Sequence, residues 1–189
     1  MQKQLAAVIE TLESAQSRLR SLADRVSEKE WSKRPGPDRW SAAGCVEHLN
    51  LTSRAYIPML RDATVDARGI GGDPRTRYRR DALGLFMSMM IGPLHRVGNF
   101  RVMRIKTTAP FVPKGGQSRD KLLSDFVKLQ ADLITLIGAA DGLPLDRVKI
   151  VSPFGGRMKY SAYSALVIVS RHQHRHLEQA EEAAHLRVN

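Results

Sequence analysis

The sequence predicts an all-α protein, a four-helix bundle with a long crossover connection, from its size, its composition and its hydrophobic pattern. The chain of 189 residues has the length of one domain, so residues 1–189 are expected to form a single domain. Its hydrophobic content of 42% supports a core, and its low aromatic content of 6% favours helix–helix packing. Apolar residues recur at steps of three and four, which is the period of amphipathic helices.

The first helix is expected over about residues 2–25, because the apolar positions follow the helical period. These positions are Leu5, Val8, Ile9, Leu12, Leu19, Leu22 and Val26. Ser27 and Glu30 then have the spacing of a capping box, which predicts a short helical turn. Pro35-Gly36-Pro37 ends this part of the chain.

The second helix is expected to begin after Ser41, whose hydroxyl is a good N-cap, and to run to about Arg61. Trp40, just before the cap, is expected to pack against Cys45 as a hydrophobic staple.

The rest of the chain predicts two more long helices, separated from the second by a less regular segment. Residues 63–116 are expected to be an insert that is irregular or contains a short helix, with 81–91 as the helical part. The third long helix is expected over about 118–139 and the fourth over about 162–185, after a cap at Ser161. A long connection between two bundle helices predicts one or two crossovers.

The charge and the cysteine content limit the partners and the location. A formal charge of +11 favours acidic partners, such as nucleic acid, anionic lipid or an anionic small molecule. The single cysteine, Cys45, excludes an internal disulfide and fits a reducing cytosol, so a cytoplasmic location is expected. The most apolar stretch, 83–94, is shorter than the roughly 20 residues of a bilayer span, so no membrane span is expected.

Three of the six histidines fall in the sequence RHQHRH at 171–176, and their spacing suggests a metal site. His172 and His176 are four residues apart, so on a helix they project from one face and can share one metal ion. The same arc of the helix adjoins Leu166, Leu177 and Ala180, which turns both histidines inward. His174 and His185 lie on other sides and are interpreted as surface residues. His95 matches no spacing.

A third ligand has to come from another helix, and His48 is the best candidate because it borders the apolar arc of Cys45 and Leu49. Three neutral imidazoles leave coordination positions open for water or substrate, as in catalytic sites, and suit zinc, nickel and other divalent ions. A pair of hydrogen-bonded core histidines is the alternative interpretation of His172 and His176. Cys45 is an alternative fourth ligand or, more simply, a small core residue.

Glu47 and Glu178 are candidate carboxylates beside the ligands, either orienting an imidazole or acting as a catalytic base. Both are also explained as solvated helix charges. The sequence thus leaves the catalytic and substrate-binding residues unknown.

The segments that carry these histidines resemble the DinB-like superfamily, which includes YfiT-type metal-dependent hydrolases and bacillithiol- or mycothiol-dependent transferases. WSAAGCVEHL at 40–49 is similar to the Trp-Ser and His-Leu signature of that superfamily. SPFGGR at 152–157, followed by RHQHRHLEQ at 171–179, resembles its closing motif, and 106–114 resembles its middle segment. The likeness covers nearly the whole chain, except for about 66–105.

The resemblance implies a four-helix bundle with a long crossover and a divalent metal held by His48, His172 and His176. It also implies a homodimer and a metal-dependent enzyme, either a transferase that uses a low-molecular-weight thiol or a related hydrolase. The metal, zinc or nickel, would serve as a Lewis acid on a small, anionic substrate.

Two other functions stay open at this stage. The chain is alternatively a metal-binding or structural bundle without catalysis. A less favoured alternative is nucleic-acid binding by the basic segment 75–106, which contains Arg75, Arg77, Arg79, Arg80, Arg96, Arg101, Arg104 and Lys106. Its one tyrosine, Tyr78, is a poor stacking platform, and no reading module is evident.

Overall fold

The fold is an all-α bundle with a small β-hairpin, described by a computed structural model for residues 1–91, 107–155 and 157–185. The elements in chain order are helices α1 (Lys3–Arg25), α2 (Glu28–Ser32), α3 (Ala42–Ile70) and α4 (Ala82–Ile91), a 3₁₀ turn (Ala109–Phe111), helix α5 (Arg119–Ala139), strands β1 (Lys149–Val151) and β2 (Lys159–Ser161), and helix α6 (Ala162–Ala183). The predicted fold class is confirmed. The antiparallel hairpin, which pairs Ile150 with Tyr160, forms the piece between α5 and α6.

Serine caps start the helices where the sequence predicted them. The Ser27 Oγ accepts the Glu30 N–H while the Glu30 carboxylate accepts the Ser27 N–H at 2.8 Å, which confirms the capping box. The Ser41 and Ser161 hydroxyls each accept the N–H three residues further on, both at 3.1 Å. Each cap satisfies an N–H that the helix itself leaves unpaired, and is worth about 1 kcal/mol.

Helix α3 continues past the predicted end at Arg61 to Ile70, so the irregular segment begins at Gly71. The physical reason is that its buried face continues at helical spacing through Leu60, Ala63, Thr64 and Ala67. Pro58 lies inside the helix without ending it. Gly71 ends it, with a φ of 65° that favours glycine.

The four long helices are not arranged in simple chain order around the bundle. Helices α1 and α3 each pack against both α5 and α6, which places α1 opposite α3. The connections from α1 to α3 and from α5 to α6 therefore cross the bundle, which agrees with the one or two crossovers predicted, whereas the long connection from α3 to α5 joins neighbouring helices.

The long connection between α3 and α5 is fastened to α6. The Asp81 carboxylate accepts hydrogen bonds from the Gly84 N–H, the Ser161 N–H and the Ser164 hydroxyl, and it pairs with Lys149. Arg171 donates to the Ser88 carbonyl at 3.1 Å, and Arg175 donates to the Met90 carbonyl at 2.7 Å. Helix α4 is thereby held along the first half of α6. The predicted helix at 81–91 is confirmed, while 92–106 lie outside the described residues.

The core consists of two apolar clusters with a polar layer between them. One cluster contains α1 residues up to Leu12 and α6 residues up to Val169, and the other contains α1 residues from Ala15 and α6 residues from Leu177. Between the two clusters, Gln173 donates to Gln130 at 2.8 Å, and Gln130 donates to the Leu12 carbonyl at 2.7 Å. The buried histidines of α3 and α6 lie at the same level of the bundle.

None of the described helices combines the length and the apolar character needed to cross a bilayer.

Substitution of Gly84 tests how closely α4 packs against α6. A Cβ added there would lie 2.2 Å from the Ser164 Oγ and 2.3 Å from the Asp81 Oδ1. We expect Gly84→Ala to lower the free energy of unfolding by about 1–3 kcal/mol, because overpacking forces the two helices apart. Urea denaturation measures this. Gly138→Ala is the matched control, since no atom lies within 4 Å of its added Cβ and no loss is expected. Equal stabilities of the two variants would contradict the described packing.

Candidate metal centre

The site is built on two packed helices, α3 and α6, at the polar level of the bundle. His48 lies in the second turn of α3, and its exposed fraction is 2%. His172 and His176 lie one turn apart on α6, with exposed fractions of 8% and 7%. The inward orientation of the α6 pair, predicted from helical geometry, is what the structure has. Since α3 and α6 are in extensive contact, the three rings meet.

The three imidazoles converge closely enough to share one cation. One ring nitrogen from each of His48, His172 and His176 can be chosen such that all lie within 4.8 Å of one another. The Nε2 atoms of His48 and His172 are 3.1 Å apart. Two nitrogens bound to one tetrahedral zinc at about 2.1 Å lie roughly 3.4 Å apart, so the observed spacing fits such an ion.

The hydrogen bonds of the rings also fit a cation. His48 Nδ1 donates to the Phe111 carbonyl at 2.7 Å, because a carbonyl can only accept. The proton of the neutral His48 ring is therefore on Nδ1, and the lone pair of Nε2 faces the other histidines. The Nδ1 atoms of His172 and His176 are buried and have no hydrogen-bond partner among the described residues. His48 thus presents a lone pair to the other two rings, and a lone pair is what a divalent ion requires.

Burial keeps all three rings uncharged. Burial lowers the pKa of His48 to about 4, opposed by the hydrogen bond to Phe111 and assisted by the positive charge of Arg175. Burial also lowers the pKa values of His172 and His176 well below the ordinary value, and the neighbouring histidines and Arg175 add to this. Neutral imidazole is the form that binds metal, so protons compete little with a cation at neutral pH.

Three aromatic side chains lie around the cluster, an arrangement that no pattern in the sequence indicated. The half-buried Trp40 ring lies 4.9 Å from that of His48 and 5.9 Å from that of His176. On another side, the Phe154 ring lies 5.7 Å from that of His172 and 5.0 Å from that of Phe111. Trp40 was predicted only as a staple for Cys45. It does pack on the cluster that contains Cys45, and its ring also covers the histidines.

The two carboxylates suggested by the sequence lie elsewhere. Glu47 is buried, and its two oxygens accept the N–H groups of Lys114 and Gly115 at 3.1 and 2.9 Å. Glu178 is half-buried on α6. The pKa of Arg18 is raised chiefly by its hydrogen bond with Glu181, and the negative charge of Glu178 adds to this. Among the described residues, the histidine cluster includes no Asp, Glu or Cys.

The remaining candidates are placed as follows. Cys45 is buried in the apolar cluster around Trp31 and Leu177, in agreement with its interpretation as a core residue. His174 was predicted at the surface, but it is half-buried because its Nε2 bonds the Thr11 carbonyl of α1 at 2.9 Å. His185 is exposed, as predicted. His95 lies outside the described residues.

The fold and the site define a class, the helical bundles whose buried, convergent histidines could hold a metal ion. The family model of the DinB superfamily matches residues 11–180, so the chain belongs to the DinB superfamily. No curated protein and no solved structure gives a significant match to the chain. The resemblance seen in the two histidine motifs is therefore confirmed at the level of the superfamily.

The depressed pKa values predict how the metal-free protein responds to pH. The pKa of histidine in an unfolded chain is about 6.5. Between about pH 7 and 5 the unfolded chain therefore binds protons that the folded cluster does not bind. Stability is then lost as the pH falls through this range, by up to about 1.4 kcal/mol per pH unit for each histidine. Urea unfolding of chelator-treated protein at pH 7.5, 6.5 and 5.5 measures the slope.

His172→Asn, which lacks one titrating ring, is expected to have a shallower slope than the unmodified protein. An equal slope in the two proteins, or constant stability between pH 7 and 5.5, would contradict the buried neutral cluster.

Proposed function

We propose that this protein is a metal-dependent enzyme in which His48, His172 and His176 hold one divalent ion, zinc or nickel. The observation that carries the proposal is the convergence of three buried imidazoles, with nitrogens within 4.8 Å of one another. Three protein ligands leave at least one coordination position for another molecule, which is typical of catalytic rather than structural zinc sites.

The proposed reaction is a thiol-dependent S-transfer or a related hydrolysis. When bound, the cation supplies Lewis acidity, which makes a thiol or a water nucleophilic near neutral pH. The protein contributes the geometry: His48 is fixed by the Phe111 carbonyl, and the rings of Trp40 and Phe154 restrict water on two sides. The described residues place no carboxylate at the cluster, so we assign no general base to the chain.

The charge of the protein supports an anionic small molecule as substrate or co-substrate. The chain carries a formal charge of +11, and Arg175 lies close enough to the cluster to disfavour protonation of all three histidines. A cytosolic thiol that bears carboxylates is attracted by such a field. We further propose a cytoplasmic homodimer, as expected from the resemblance and the single cysteine.

One observation favours a second candidate, a bundle that binds metal but does not catalyse. The described histidine cluster includes no carboxylate, which is one of the side chains that commonly act as a general acid or base. Activity and metal binding therefore need separate tests.

Nucleic-acid binding is disfavoured by the described part of the basic segment. Tyr78 is 2% exposed and stacks on Tyr163 at 4.9 Å, so its ring is not available to a base. Arg75 is paired with Asp146 at 3.2 Å. Arg77, Arg79 and Arg80 are exposed, and the remaining basic residues that the sequence suggested, Arg96, Arg101, Arg104 and Lys106, lie outside the described residues.

The metal content of protein purified without an affinity tag tests the ligand set. We expect about one divalent ion per chain in the unmodified protein and its loss from His48→Ala and His172→Ala, because two imidazoles bind far more weakly than three. Elemental analysis measures this. His174→Ala is the matched control, since this histidine lies on the same helix and bonds Thr11 instead.

Retention of metal by both ligand variants would show that the proposed triad is wrong. A chelator should also lower the melting temperature of the unmodified protein, since a ligand bound by the native state stabilises it by mass action.

Catalysis is tested by a screen of low-molecular-weight thiols, with and without carboxylates, against electrophilic acceptors and hydrolysable esters. We expect turnover that disappears on chelation and returns when metal is added back. The readout is disappearance of the thiol together with formation of the product. A protein that holds its metal but turns over no substrate in this screen would favour the non-catalytic bundle.

A further inference from the structure

The buried carboxylate of Glu47 has a defined task in the structure, although it touches none of the three histidine rings. Its side chain is 5% exposed, and a carboxylate in such a position requires hydrogen bonds. Two backbone donors provide them, the N–H groups of Lys114 at 3.1 Å and of Gly115 at 2.9 Å. Glu47 therefore holds the loop that follows the 3₁₀ turn.

The next residue on α3 holds the same loop at its other end. His48 Nδ1 donates to the Phe111 carbonyl at 2.7 Å, four residues before Gly115. Two consecutive residues of α3 thus form hydrogen bonds with both ends of the segment 111–115. Gly115 and Gly116 have φ values of 76° and 83°, which bend the chain so that its N–H groups face α3. The segment is fixed by hydrogen bonds at both ends.

The Phe111 carbonyl decides which nitrogen of His48 faces the cluster as a lone pair. A neutral imidazole has one N–H, and the carbonyl can only accept, so the proton stays on Nδ1. Nε2, which lies 3.1 Å from His172 Nε2, then carries a lone pair that can accept from His172 or bind a cation. If the carbonyl were displaced, the proton could move to Nε2, and an N–H would point at the other histidines.

We propose that Glu47 is a positioning residue for the centre: by holding Lys114 and Gly115, it keeps the Phe111 carbonyl on His48 Nδ1 and so sets the tautomer of His48. The identity of the occupant as a divalent cation rests on the proposed function. The effect on the tautomer does not, because it is a property of the metal-free protein.

The tautomer of His48 in chelator-treated protein is the decisive measurement. The ¹⁵N shifts of the ring nitrogens at pH 7.5 distinguish an N–H from a lone-pair nitrogen, and His48→Gln identifies the signals. We expect the Nδ1–H form in the unmodified protein and a mixture with the Nε2–H form in Glu47→Ala. Glu47→Gln, which retains one acceptor oxygen, is expected to contain a smaller proportion of the Nε2–H form than Glu47→Ala.

A matched control separates positioning from general stability. Glu181 is also a buried glutamate, 7% exposed, whose two oxygens each accept from Arg18 at 2.7 Å. Glu181→Gln is expected to lower the melting temperature without changing the His48 tautomer. A folded Glu47→Ala protein with the unmodified tautomer overturns the proposal. Should Glu47→Ala fail to fold, Gly115→Ala strains the same loop from outside α3, and an unchanged tautomer there has the same meaning.

Zinc affinity, measured by competition with a chromophoric chelator, gives the second readout. Groups that orient a ligand from outside the coordination sphere are commonly worth about 10–100-fold in metal affinity. We expect a weakening in this range for Glu47→Ala and a change of less than about twofold for Glu181→Gln. If the unmodified protein binds no zinc or nickel while Glu47→Ala still alters the tautomer, the proposed function fails and the positioning role of Glu47 stands.

Discussion

Three uncharged imidazoles buried at one level of a helical bundle impose the strictest constraint on this structure. Apolar clusters lie above and below them, so each ring nitrogen must find a partner inside the protein. His48 finds one in the Phe111 carbonyl, whereas the Nδ1 atoms of His172 and His176 have none among the described residues. Such atoms cost about 1–3 kcal/mol each when unpaired. In the proposed function a shared cation is bound by lone pairs that converge only in the native state, which couples metal binding to folding.

The parts of the chain that close around this layer are mostly the irregular ones. Trp40 precedes the cap of α3, Phe111 belongs to the 3₁₀ turn, and Phe154 lies in the hairpin between β1 and β2. The regular helices supply the ligands, and the connections supply the walls. Such a division is common, because a rigid scaffold holds the chemistry while loops shape access to it. Arg171 and Arg175 likewise hold the long connection, because their hydrogen bonds fix α4 beside the ligand-bearing helix α6.

The helices could be predicted from the sequence where two local signals, a capping residue and helical periodicity, indicated the same boundary. Capping serines and helical periodicity located the starts of α2, α3 and α6, since both depend on residues three or four apart. The end of α3 was wrong by more than two turns, because Ala63, Thr64 and Ala67 were not recognised as a buried face. Small residues give a weak hydrophobic signal, yet they let helices approach closely. The β-hairpin had no local signal of this kind, since its strands pair residues that lie 8 to 12 positions apart in the chain.

The sequence by itself determined that His172 and His176 share an inward face, because their spacing is a property of one helix. The apolar arc of the second helix made His48 the best third candidate, and the family motif supported it and indicated the superfamily. Only the tertiary structure decided that the three rings meet, since this depends on how α3 packs against α6. It also decided the task of Glu47, which pattern reasoning placed beside a ligand or in solvent. The carboxylate instead holds a loop 67 residues away in the chain, and no local rule connects positions at that distance. The N–H proton of His48, and with it the lone pair that faces the cluster, is placed by a second long-range contact, with the Phe111 carbonyl 63 residues away.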